Sequence, residues 1–112
     1  MQPPSGLAIP IRLPTALARV RDRWDRAARA GARPHVTVLF PFLPLAGLTP
    51  AVRAALADIA AMEEAFDVRF VRIRRFDDGL VWAEPEPVDP IVRLTQAVAG
   101  TWPAYPPYGG LF

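Results

Sequence analysis

Apolar and polar positions change period several times along the chain, and each change marks an element. Residues 6–13, centred on Ile9 and Ile11, read as a first strand that Pro10 pushes toward a sheet edge or a bulge. Leu17, Val20, Trp24 and Ala28 then follow helical spacing, which predicts a helix capped by Thr15 and stopped at Gly31. Its other face carries Arg19, Arg23, Arg26 and Arg29 beside Asp22 and Asp25, a solvated surface. Residues 34–41 alternate: His35, Thr37 and Leu39 share one side of an extended segment, and Val36, Val38 and Phe40 share the other. The second set predicts the buried face. Thr49 and Pro50 open a second helix whose stripe of Val52, Leu56, Ile59 and Met62 is core.

Residues 66–76 and 80–84 read as a hairpin turning through Asp77, Asp78 and Gly79. Alternation slips between Phe70 and Val71, which predicts a bulge. Asp89 and Pro90 open a last helix through Ile91, Leu94, Val98 and Trp102, followed by a turn-rich loop over 103–110. The order of strands and helices predicts one α+β domain over residues 1–112, a mostly antiparallel sheet with helices on one face.

Composition narrows the chemistry. Cysteine is absent, so no disulfide framework and no cysteine zinc site can form, and together with a start that lacks a signal-like apolar run this gives an expectation of a cytoplasmic protein. The longest apolar stretch, 36–48, is broken by Pro41 and Pro44 and is too short for a membrane span. No set of His, Asp and Glu has metal-ligand spacing and no glycine-rich phosphate loop precedes a helix, so neither a metal nor a cofactor is expected. All 13 basic residues are arginine, a choice that suits phosphate recognition but that a GC-rich genome also produces. A net charge of +2 is too small for a general polyanion binder.

His35 is the one histidine, the side chain best able to give and take a proton near neutrality. Thr37 lies about 7 Å further along the same face, where its hydroxyl can donate to a phosphate oxygen. Spacing alone leaves open a plain amphipathic strand with a polar outer face. Arg72 and Arg74, in the densest basic cluster, are candidate phosphate contacts, with an exposed sheet face as the alternative; Tyr108, beside two glycines, is a candidate for stacking on a base.

The run from Ala32 to Pro44, A-R-P-H-V-T-V-L-F-P-F-L-P, resembles the first H-x-T region of the 2H phosphoesterase superfamily, in particular its 2'-5' RNA ligase-like branch. The apolar first strand with Ala8 and Ile9, and the ending Y-P-P-Y-G-G-L-F from Tyr105, are similar to the same family, which carries a second H-x-T just after such an ending. The resemblance implies a bilobal α+β fold acting without metal on 2',3'-cyclic phosphate or 2'-5' linked RNA or nucleotides, with His35 as catalytic acid or base and Thr37 as its phosphate-binding partner. It also implies a truncated form lacking its C-terminal strands and second motif. Three expectations follow: weak or no hydrolysis by this chain alone, self-association through an unpaired sheet edge, and, as the alternative function, a non-catalytic nucleotide-binding module or inactive remnant.

Overall fold

The computed structural model describes residues 2–110. Within them the fold is α+β, and its strands form two separate two-stranded antiparallel ladders. Strand β1 (Pro4–Pro10) pairs with β2 (His35–Pro44), and β3 (Arg69–Arg75) pairs with β4 (Val81–Glu86). Between β1 and β2 lie α1 (Thr15–Trp24) and a short α2 (Arg26–Arg29); α3 (Pro50–Ala61) precedes β3, and α4 (Asp89–Thr101) follows β4.

The core sits where β2 meets α4. Phe42, Leu39 and Val98 are fully buried, and Val52, Leu56 and Ile59 of α3 pack against them. Trp102 and Tyr105 approach the Phe42 ring edge-on, with centroids 5.3 and 5.6 Å away. Such aromatic pairs contribute about 0.5–1.5 kcal/mol each beyond the area they bury. Met62, expected to extend the α3 stripe, lies just past the helix as its C-cap and is exposed.

The β1–β2 ladder corrects the expected orientation of β2. Leu39 is 1% exposed and Phe40 43%, so these two exchange the roles that simple alternation gives them. The cause is visible in the register: Leu7 faces Leu39 while Ala8 faces Thr37, so Val38 is an extra residue with no partner on β1. An extra residue shifts the parity of everything beyond it. Before the bulge the outer face carries His35 and Thr37; after it, Phe40. The hydroxyl of Thr95 on α4 donates to the Val38 carbonyl at 2.7 Å, which satisfies a backbone acceptor and ties the bulge to the core helix.

The first helix also departs from its expected form. Pro14, not Thr15, is the N-cap, and the helix breaks at Asp25, whose carboxylate accepts a hydrogen bond from the Ala27 amide and so starts α2. Leu17, Val20 and Trp24, the apolar positions at helical spacing, are all more than half exposed. The β3–β4 hairpin follows its sequence more closely. Phe70 faces Pro85 and Arg72 faces Glu84, leaving Val71 as the extra residue where the alternation slips. Gly79 supplies the left-handed backbone of the turn, with φ of 93°, and the Asp78 carboxylate accepts from the Leu80 amide.

Candidate active site

His35 opens β2, opposite Pro10 of β1, and Thr37 sits opposite Ala8. Both line an open concavity of about 480 Å³ on the outer side of this ladder. The imidazole is oriented from behind: its Nδ1 lies 2.6 Å from the Arg33 carbonyl, and since a carbonyl can only accept, Nδ1 carries the proton. That tautomer leaves Nε2 as the nitrogen with a lone pair for exchange with a ligand. Thr37 is half-buried, and His35 is exposed.

Two aromatic rings complete the walls. Phe40 enters through the Val38 bulge and lies against Gly6, where an added Cβ would come within 3.1 Å of the ring. Glycine is what lets the ring settle over β1. Tyr108 arrives from the far end of the chain, where the 3-10 turn Pro107–Gly110 packs on β2. Its backbone is left-handed, with φ of 50° and ψ of 36°, a conformation that costs a non-glycine residue about 1–3 kcal/mol and clusters at functional sites.

The structure therefore brings His35, Thr37 and Tyr108 together and leaves Arg72 and Arg74 elsewhere. Both of these arginines extend from β3 to the Glu84 carboxylate, at 2.9 and 3.0 Å, and neither lines the concavity. Register explains the pairing: Arg72 is directly across from Glu84, and Arg74 is its diagonal neighbour on the same face. Trp82 stacks on Phe76 with centroids 5.4 Å apart, within the hairpin. Arg33 and Phe40 are lining residues that the sequence reading did not single out. Arg33 extends the two-residue step from Thr37 to His35 back by one more step; Phe40 is concealed by the bulge.

Among the described residues no Asp or Glu lines the concavity, and the charged residue at its wall is Arg33. Its electrostatic character is cationic to neutral, suited to an anion. Among the described residues no group of three or more His, Cys, Asp or Glu is placed to hold a metal ion, and no helix is long and apolar enough to cross a membrane. Comparison with known families gives a match to the 2'-5' RNA ligase superfamily over residues 9–111. No curated protein and no solved structure matches the chain significantly.

Proposed function

Because the chain belongs to the 2'-5' RNA ligase superfamily, we propose that its His35 concavity acts on 2',3'-cyclic phosphate or 2'-5' linked RNA or nucleotides. The observation that carries this reading is the placement of His35 and Thr37 on one cavity wall with the imidazole tautomer set by the Arg33 carbonyl. In hydrolysis of a cyclic phosphate a water oxygen bonds to phosphorus as a P–O bond to ribose breaks. One group takes the proton of the water and another protonates the departing ribose oxygen. His35 fills one of these roles through Nε2: as base the neutral ring accepts the proton of the attacking water there, and as acid the imidazolium delivers its Nε2 proton to the ribose oxygen, with Nδ1–H held by the Arg33 carbonyl in both cases. Thr37 donates its hydroxyl hydrogen to a non-bridging oxygen, where charge grows in the transition state. Tyr108 and Phe40 offer ring faces to the nucleoside.

A second reading is a nucleotide-binding module without turnover, favoured by the single histidine in a reaction that uses two proton-transfer groups. One experiment separates the two. The chain is incubated with adenosine 2',3'-cyclic phosphate in the presence of chelator, while nucleotide binding is followed by NMR at His35. The phosphodiesterase reading expects slow, chelator-resistant turnover that falls about 10²- to 10⁴-fold in His35→Ala. Binding with no turnover favours the second reading, and neither binding nor turnover overturns both.

A further inference from the structure

Arg33 stands two residues before His35 as Thr37 stands two after it, and all three line the same concavity. Its main chain and side chain have separable parts there. The carbonyl accepts from His35 Nδ1–H, whereas the exposed guanidinium pairs with no acidic group among the described residues. Three carboxylates are paired with other arginines: Asp25 with Arg21, Glu84 with Arg72 and Arg74, and Glu63 with Arg93. Among the described residues no Asp or Glu lines this cavity, and Arg33 is the formally charged residue of its described lining.

A guanidinium without an acidic partner among the described residues, on a residue that lines one cavity with a hydroxyl donor and an imidazole, is suited to a tetrahedral oxyanion, because its planar fork makes two parallel hydrogen bonds to phosphate oxygens. We infer that the Arg33 guanidinium is a second phosphate-binding group of this site, holding the phosphoryl oxygens on the side of His35 away from Thr37. This rests on the phosphodiester reading above and adds to it a residue that recognises the phosphoryl group from the opposite flank. The arrangement also links recognition to catalysis, since the residue that grips the anion is the one whose carbonyl orients the imidazole.

Side-chain replacement leaves that carbonyl in place, so the two parts can be tested apart. Inorganic phosphate is titrated into the wild-type chain, Arg33→Ala and Arg33→Lys, with the dissociation constant read from the His35 ring resonances. The amide resonances of Leu39 and Phe42 serve as the check that the core is unchanged. Arg33→Ala is expected to weaken phosphate binding about 10-fold or more, the loss typical of a charge-assisted hydrogen bond. Arg33→Lys is expected to recover part of the affinity, keeping the charge and losing the fork. An unchanged dissociation constant in Arg33→Ala, or a wild-type chain whose His35 resonances ignore phosphate, overturns the inference. The phosphodiester reading is judged separately, by loss of cyclic-nucleotide turnover in His35→Ala.

Discussion

Strands β2 and β3 both contain large apolar side chains and both carry a bulge, yet β2 supplies two of the most deeply buried side chains of the protein and β3 buries none. Four of the seven β3 residues are arginine, but its Phe70, Val71 and Ile73 are exposed as well. What differs is the second layer: β2 is covered by α4, α3 and the aromatic turn that carries Tyr105, whereas β3 packs against β4 and little else. Ile73 in the middle of β3 is 71% exposed, and the hairpin is held by its ladder, the two Arg–Glu84 pairs and the Phe76–Trp82 stack. A two-stranded ladder with no covering layer is marginal by itself in water. The candidate site belongs to the strand with the covering layer, where a hydrogen bond from α4 holds the bulge that delivers Phe40.

The contrast is broken most severely at Phe42. Truncation to alanine leaves a cavity among Trp102, Tyr105 and Leu39, and a buried Phe→Ala change costs about 3–5 kcal/mol. The equivalent truncation of Ile73 is expected to stay within about 0.5 kcal/mol, as exposed substitutions do. Urea unfolding of the two variants measures both. Comparable losses would mean that the hairpin is covered in solution by something that holds Ile73 as firmly as α4 holds Phe42.

A smaller effect is expected at Gly79, and it should remain local. Nothing lies within 4 Å of an added Cβ there, so the cost of Gly79→Ala is confined to the backbone at φ of 93°, about 1–3 kcal/mol. Hydrogen exchange should accelerate at the amides of β3 and β4 and stay unchanged at Leu39 and Phe42. Equal acceleration in both regions would show that the hairpin and the core open as one unit.

Features set by neighbours in sequence were legible: the turn at Gly79, the start of α3 at Thr49 and Pro50, and the slip at Val71. Those set by a distant partner were not. The Val38 bulge exists only through pairing with β1, so alternation along β2 assigned Leu39 to the site face and Phe40 to the core, the reverse of what forms. The spacing of Leu17, Val20 and Trp24 states that an apolar stripe exists without stating that a layer covers it. His35 and Thr37 could be found because their chemistry and spacing are local, whereas Arg72 and Arg74 were drawn to the site by charge alone and are bound instead to Glu84 across the ladder. The place of Arg33 in the lining is not legible in the sequence, because the cavity is assembled from both strands and the final turn.

The smallest expected effect concerns how the compact region is held at its edge. Glu63, just beyond α3, accepts from the Arg93 guanidinium of α4 at 2.6 and 3.0 Å, a two-pronged pair between the helices that cover the core. The hydrogen bond from Arg93 lowers the pKa of Glu63, with a smaller Coulombic contribution in the same direction, against desolvation that acts to raise it. A carboxyl whose pKa is lower folded than unfolded stabilises the fold above the ordinary glutamate value of about 4.3, and that contribution disappears as pH falls through the lowered folded value. Denaturant midpoints of the wild-type chain and Glu63→Gln are therefore expected to differ slightly at about pH 6 and to converge as pH drops below about 4. Exchange rates in the β3–β4 hairpin should not respond to this substitution, because Glu63 and Arg93 lie wholly within the α3–α4 side. A difference that persists unchanged at about pH 3 would show that the pair acts through packing rather than through charge.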